Sequence, residues 1–231
     1  MCIRDRSALL DEAGIDEPTN PERQIFTTGA DGYSAGFRAP IAYDGRTAMV
    51  ALFINGEPIP PEHGFPARLM VAGEYAQNSA TKWLESIEVT DFFGVDGFWI
   101  PRGWAKEAPV KTSSRIDTIS SGESLATGTT VIGGVAWAPP YGIERVEVGV
   151  VESSAATSSA GDSAIQWNEA ELSSVDSDET WVQWRYTWDA RPGDWVVSVS
   201  ATDKTGLVQS PVPVAPAPDG SEGHHLIVVT V

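Results

Sequence analysis

The segment that reads Asn55-Gly56-Glu57-Pro58-Ile59-Pro60-Pro61-Glu62-His63-Gly64-Phe65-Pro66-Ala67-Arg68 is the most informative part of this chain. Its prolines and glycines restrict the backbone on both sides of His63, so the position of that side chain is well determined. Arg68 follows five residues later and supplies a planar fork of donors that suits a buried phosphate. On the residues alone, the alternative is that His63 caps a turn and Arg68 is a surface charge on a strand.

The flanking sequence, to about residue 111, indicates a mixed and mainly β domain. Thr47–Ile54 is a continuous apolar run, typical of a buried strand, that stops at the turn dipeptide Asn55-Gly56. Asp31–Gly36 is expected to form a turn. Three more strands and one short helix are predicted, at Gln24–Thr28, Ala67–Ala72 and Trp83–Thr90, and at Ser7–Ala13.

From about residue 112 to residue 231 the chain changes to short strands at roughly even spacing. Alternation in Val146-Glu147-Val148 and in Val197-Ser198-Val199 gives those strands one buried and one solvated face. This pattern predicts an immunoglobulin-like β-sandwich that lacks the usual disulfide. Ser153–Ser163 is expected to be a mobile inserted hairpin, and Pro211–Gly220 an extended segment draped over a neighbouring surface. The predicted strands are Thr130–Trp137, Ile143–Val150, Trp181–Trp188, Trp195–Asp203 and His225–Val231.

The composition limits the classes of partner. The chain has 231 residues, 42% hydrophobic content, nine tryptophans and a formal net charge of −17. That charge disfavours nucleic acids and anionic membrane surfaces, because both would repel the protein. Cys2 is the only cysteine, so no intrachain disulfide can form. No stretch approaches the roughly 20 apolar residues of a membrane span.

The beginning of the chain resembles neither a signal peptide nor a natural start. Met1–Arg6 has no apolar core behind its charges, and it joins awkwardly to Ser7–Gly14, which resembles the end of a helix. Residues 1–6 are therefore expected to be a non-native leader, and the rest to be the C-terminal part of a longer protein.

Three further segments carry candidate site residues. Asn78–Leu84 offers hydroxyls, backbone amides and one lysine, which suit a phosphate or a ring edge, or form an ordinary polar loop. Asp31 is a possible acceptor for ring nitrogens, or simply a turn residue. Phe98–Glu107 combines cations and aromatic rings, including Arg102 and Trp104, and would wall an anion pocket or serve interdomain packing.

In order along the chain, these segments resemble the C-terminal half of molybdopterin-dependent oxidoreductases of the sulfite oxidase superfamily. The resemblance runs from about residue 7 to the end, and its weight comes from several short motifs in the same order. The motifs are Asp31-Gly32-Tyr33, Asn55–Arg68, Ala80–Leu84, Pro101–Pro109, Lys111–Asp117, Gly134–Ala138 and Ile143–Val148.

The resemblance implies an α+β, mostly β fold with two modules. Residues 7–111 would be the end of a molybdopterin-binding domain, and residues 112–231 an immunoglobulin-like dimerisation domain that forms a homodimer. The implied cofactor is Mo-molybdopterin, and the implied reaction is an oxygen-atom transfer with electrons passing to a haem protein or another carrier. Carried over by position, the cofactor contacts are Asp31, His63, Arg68, Ala80, Thr81 and Lys82, with Arg102 and Trp104 at a substrate pocket.

The chain departs from the family pattern at three points. The molybdenum-ligating cysteine of the family lies upstream of the matching motifs, and Cys2 is not assigned that role. No metal ligand or catalytic residue is therefore identified, and this chain alone is expected to be inactive and to hold the cofactor weakly. Trp104 stands near a tyrosine of animal and plant sulfite oxidases, and Asp219-Gly220 stands where they have Arg-Gly.

An aspartate at position 219 would repel sulfite, so a different substrate is expected. The resemblance then fits a bacterial relative, membrane-associated or extracytoplasmic through a segment that precedes this chain. The alternative is a non-enzymatic extracellular immunoglobulin-like binding module preceded by a small α+β domain. A carbohydrate-binding sandwich is a third possibility, supported only by the nine tryptophans.

Overall fold

The structure is a computed structural model that describes residues 3–5, 10–14, 20–156 and 165–231. The chain divides into two compact units. Unit 1 comprises Met1–Val110 together with Pro216–Gly220, and unit 2 comprises Lys111–Ala215 and Ser221–Val231. Among the described residues, no helix is both long enough and apolar enough to cross a membrane.

Unit 1 is built from small antiparallel sheets. One sheet has the strand order β3-β2-β8, another has the order β1-β4-β7, and β5 and β6 form a hairpin. The strands are β1 (Ile3–Asp5), β2 (Arg23–Gly29), β3 (Ser34–Arg38), β4 (Ala48–Ala51), β5 (Phe53–Ile54), β6 (Glu57–Pro58), β7 (Arg68–Val71) and β8 (Leu84–Asp91). A single-turn helix, α1, spans Ala76–Ser79.

The two three-stranded sheets of unit 1 share one apolar core. Ile25 of β2 and Leu69 of β7 are fully buried, and Phe37 of β3 packs into the same cluster. The core therefore fixes the ends of β2, β3 and β8, which carry candidate residues.

Two sequence predictions in unit 1 are wrong in part, and a third falls partly outside the described residues. The turn predicted at Asp31–Gly36 is too long, because residues 34–36 already pair with β2. The run Thr47–Ile54 is not one strand, since it is interrupted at Leu52 between β4 and β5. Of the helix predicted at Ser7–Ala13, residues 10–12 are helical, and residues 7–9 lie outside the described ranges.

Unit 2 is a β-sandwich of two four-stranded antiparallel sheets. Their strand orders are β13-β14-β10-β9 and β12-β11-β15-β16. These are the orders of an immunoglobulin-like domain with one extra edge strand. The strands are β9 (Ser113–Ile116), β10 (Gly128–Trp137), β11 (Ile143–Glu152), β12 (Trp167–Glu169), β13 (Glu171–Leu172), β14 (Val182–Ala190), β15 (Asp194–Asp203) and β16 (His225–Thr230).

The two sheets of unit 2 enclose a continuous core of β-branched residues. Ile132, Val148 and Val197 are fully buried there, one from each of β10, β11 and β15. The predicted fold, mostly β with an immunoglobulin-like sandwich, is confirmed. In the predicted insertion, Ser153–Ala156 forms a helical turn, α2, and residues 157–163 lie outside the described ranges.

The proline-rich segment forms a strap that is not extended along its whole length. Its last part, Pro216–Gly220, belongs to unit 1, where the carbonyl of Pro218 accepts a hydrogen bond from the backbone N–H of Ala105 at 2.9 Å. Residues 216–220 form a turn, closed by the Gly220 N–H donating to the Pro216 carbonyl at 2.8 Å, so the extended conformation predicted for Pro211–Gly220 is wrong over this part.

Candidate functional site

A pocket of about 280 Å³ opens in unit 1 where the β2–β3 turn, helix α1 and the start of β8 meet. Three aromatic side chains share its wall with one acidic, one basic and one amide side chain. This combination suits a planar ring that carries both donors and acceptors at its edge. The lining residues are Asp31, Tyr33, Ala76, Gln77, Ala80, Lys82, Trp83 and Trp99.

The β2–β3 turn ties Asp31 to helix α1. Asp31 Oδ1 accepts the backbone N–H of Tyr33 at 3.0 Å, and the Tyr33 hydroxyl donates to the carbonyl oxygens of Gln77 and Ala76 at 3.2 and 3.4 Å. Burial, followed by the charge of Asp31, raises the pKa of Tyr33, so its phenol remains a donor. Asp31 is thus a turn residue and also a pocket residue.

Thr81 is anchored in the core, whereas its two neighbours line the pocket. The fully buried Thr81 hydroxyl lies 2.8 Å from the hydroxyl of Thr27, which donates to the carbonyl of Ala35 at 3.2 Å. Ala80 and Lys82 both line the pocket, whereas Thr81 does not. The predicted role of Thr81 as a cofactor contact stays a prediction.

Trp83 links the pocket to the loop that contains His63. Its backbone is left-handed (φ +49°), which is uncommon for a bulky residue. Its indole N–H donates to the carbonyl of Pro61 at 2.9 Å, and its backbone N–H donates to that of Gly64 at 3.3 Å. Lys82 Nζ donates to the carbonyl of Glu62 at 2.7 Å. Strained residues of this kind cluster at functional sites.

Gly64 brings the predicted basic residues together. It ends the 3-10 turn Pro61–His63 with φ +109°, and a Cβ added there would lie 3.0 Å from Lys82 Cβ and 3.2 Å from Arg68 Cβ. The exposed His63 accepts a hydrogen bond at its carbonyl from Arg68 Nη1, at 3.2 Å. The structure thus places Arg68 and Lys82 side by side against one glycine, although His63 and Arg68 are outside the pocket lining.

Arg68 carries an unfilled donor. Its Nε is buried and has no hydrogen-bond partner, and burial lowers the pKa of its guanidinium. Leaving a buried charged donor unpaired is costly, so an anionic acceptor at this position would be strongly favoured. A phosphate oxygen has the required chemistry.

The predicted substrate-pocket residues lie beside this pocket and not in its lining. The Arg102 guanidinium covers the ring of Phe98 at 3.6 Å and donates to the carbonyl of the same residue. Trp104 contacts Trp99, with ring centroids 6.2 Å apart, and Trp99 in turn lines the pocket. The role of Arg102 and Trp104 at a substrate pocket stays a prediction.

Sequence reasoning did not single out Gln77, Trp83 or Trp99. Gln77 has no motif around it, and only the fold shows that its buried side-chain Nε2 lacks a partner at the pocket. Trp83 and Trp99 lie in the segments Asn78–Leu84 and Phe98–Glu107, which the sequence had already marked as candidates. The aromatic residues of those segments were the available signal. In the described part of the chain, no group of three or more His, Cys, Asp or Glu side chains is placed to hold a metal ion. Cys2 lies outside the described residues.

Comparison with known proteins identifies the class of the first unit. Residues 5–99 match the family described as the oxidoreductase molybdopterin binding domain. The chain is 36% identical over 64 residues to inducible nitrate reductase [NADH] 1 of Glycine max, covering 27% of this chain and 7% of that protein. It is 33% identical over 89 residues to nitrate reductase [NADPH] of Fusarium oxysporum, covering 36% and 10%.

A solved structure matches nearly the whole chain. The sulfane dehydrogenase SoxCD of Paracoccus pantotrophus aligns with a TM-score of 0.68 and 22% identity, covering 97% of this chain and 60% of that one. At this identity the match establishes the fold. The chain spans at most about a tenth of the length of these two nitrate reductases.

Residues 5–99, which lie in the first unit, resemble the molybdopterin-binding domain of oxidoreductases, and the fold of the chain resembles that of SoxCD. The resemblance drawn from the sequence motifs is confirmed at that level. The comparisons give no support to the alternative of a non-enzymatic binding module. The roles of the individual candidate contacts stay predictions.

Proposed function

We propose that unit 1 binds Mo-molybdopterin through its pocket and the adjoining basic residues, as part of an oxidoreductase that transfers oxygen atoms. The observation that carries the proposal is the pocket itself, in which aromatic walls, Asp31 and Lys82 stand together within a molybdopterin-binding domain. When bound, the cofactor supplies two-electron redox chemistry and exchange of an oxygen atom at molybdenum.

The residues divide the binding task by their chemistry. The Asp31 carboxylate accepts hydrogen bonds from ring N–H groups. Lys82 and Arg68 supply donors and positive charge for the phosphate, and His63 supplies a ring N–H donor. This basic cluster stands out in a chain whose net charge is −17. Because Gly64 has no Cβ, the Cβ atoms of Lys82 and Arg68 can both lie close to this point of the loop.

The substrate and partners are further parts of the proposal. We infer that sulfite is disfavoured, because Asp219 adds a negative charge within the strap that packs against unit 1. The sandwich of unit 2 would join two copies of the chain, and a haem protein or another carrier would accept the electrons. The expected weak hold on the cofactor follows from the absence of an assigned thiolate ligand.

Titration with metal-free molybdopterin under anaerobic conditions tests the proposal. Trp83 and Trp99 line the pocket, so binding should quench tryptophan fluorescence. Removing one charge-assisted donor in Lys82→Met or Arg68→Ala should weaken binding by about tenfold to a hundredfold. His63→Ala should have a smaller effect, because that side chain is exposed.

Lys204→Met, which removes an exposed lysine of unit 2, is the matched control and should bind as the unaltered chain does. The proposal fails if the unaltered chain produces no saturable quenching. It also fails if Lys82→Met and Arg68→Ala both bind as tightly as the control.

A further inference from the structure

The side-chain amide of Gln77 is an unused donor at the wall of the unit 1 pocket. Its Nε2 is buried and has no hydrogen-bond partner among the described residues, while Gln77 lines the same pocket as Asp31 and Lys82. A buried amide N–H without a partner costs roughly 1–3 kcal/mol, so such groups are usually completed by a ligand or by water. The pocket is where that completion is available.

Gln77 is also held in place, which distinguishes it from a freely turning surface glutamine. It lies in helix α1, and its carbonyl accepts the Tyr33 hydroxyl at 3.2 Å. The next two residues of the helix are buried and pinned: Asn78 Nδ2 donates to the carbonyl of Lys106 at 3.0 Å, and Ser79 Oγ donates to that of Glu74 at 2.9 Å. The fixed backbone of helix α1 therefore holds Gln77 at the wall of the pocket.

The polar groups of the pocket differ in kind. Asp31 offers carboxylate oxygens, which accept, whereas Gln77 and Lys82 offer donors. A pterin ring has both characters at its edge, with N–H donors at one part and carbonyl or ring-nitrogen acceptors at another. Lys82 already donates to the carbonyl of Glu62 and is assigned to the phosphate, so the ring acceptors need another donor.

Resting on the proposed function, we propose that Gln77 is a pterin-recognition residue whose amide donates to an acceptor on the ring edge, complementing Asp31. It would select the ring, and Arg68 would select the phosphate. The two roles predict different responses to a ligand that lacks the phosphate.

Two ligands and two variants test this division. Gln77→Leu should weaken binding of metal-free molybdopterin about threefold to tenfold, and should weaken binding of a phosphate-free pterin by the same factor. Gln77→Glu, which keeps the size but removes the NH₂ donor, should weaken both at least as much. Arg68→Ala should weaken only the phosphate-bearing ligand.

Gln183→Leu, on an exposed position of β14, is the matched control. Without ligand, Gln77→Leu should unfold at the same temperature as the unaltered chain or at a higher one, because it removes the unpaired buried amide, and this separates recognition from a structural role. The inference is overturned if both Gln77 variants bind both ligands as the control does while Lys82→Met is weakened. If the unaltered chain binds neither ligand, the proposed function itself fails, and this inference falls with it.

Discussion

Glu74 should make the stability of unit 1 depend on pH near neutrality. Its side chain is 6% exposed, and Arg46 Nη1 approaches one carboxylate oxygen only to 3.6 Å while its guanidinium also binds Asp44 at 2.7 Å. Burial raises the pKa of Glu74 from its ordinary value of 4.5 to about 7, with Arg46 opposing the shift and Glu107 and Asp44 adding to it.

The direction of the effect follows from proton binding. Between the two pKa values the folded protein binds more protons at Glu74 than the unfolded chain does, so stability falls as pH rises through that window. The stabilising contribution of the protonated carboxyl is complete below about pH 4.5 and is lost above about pH 7. The loss amounts to about 3 kcal/mol across the window.

Glu74→Gln removes this titration and keeps the shape of the side chain. The variant should match the unaltered chain at pH 4.5 and exceed it at pH 8 by about 2–3 kcal/mol of unfolding free energy. Urea denaturation at several pH values measures the difference, and Glu85→Gln, at an exposed position of β8, is the control. A difference between Glu74→Gln and the unaltered chain that stays constant from pH 4.5 to pH 8 would refute the reasoning.

Three further substitutions test other parts of the structure. Gly64→Ala should destabilise unit 1 by about 1–2 kcal/mol and weaken molybdopterin binding, because the site has φ +109° and a Cβ would press on Lys82; unchanged urea midpoints would contradict this. Trp83→Phe deletes the indole N–H that donates to the Pro61 carbonyl, so the free energy of local opening of the His63 loop should fall by about 1 kcal/mol. Amide hydrogen exchange in that loop should then speed up, and unchanged exchange would argue against the link. Ile132→Ala should cost unit 2 about 2–5 kcal/mol in urea without altering pterin titration, and an altered titration would show that the site extends beyond unit 1.

Much of the sandwich was predictable because its longer strands can be recognised from the hydrophobic pattern of their own residues. β14 and β16 alternate between buried and exposed residues, so their existence followed from periodicity. β15 is buried on both faces, Ser198 included, so the solvated face predicted for it from its alternating sequence is wrong. β12 and β13 have three and two residues, which is too short for a pattern to develop. Their positions depend on pairing with neighbouring strands.

The site in unit 1 was predictable only where a motif marked it. Asp31, Ala80 and Lys82 were named from the resemblance, and the fold places all three in one pocket. β3 was not predicted, because turn-forming residues precede it and its first residues, which pair with β2, were assigned to the turn Asp31–Gly36. Gln77 gave no sequence signal, since an unpaired amide is a property of the folded surroundings.

The central claim is that the unit 1 pocket recognises the pterin, and its location is tested most directly by hydrogen exchange with and without metal-free molybdopterin. The account predicts slower exchange at residues 29–33 and 76–84, which surround the pocket, and no change in the sandwich strands of unit 2. Slower exchange confined to unit 2, or no change anywhere at saturating ligand, would contradict it.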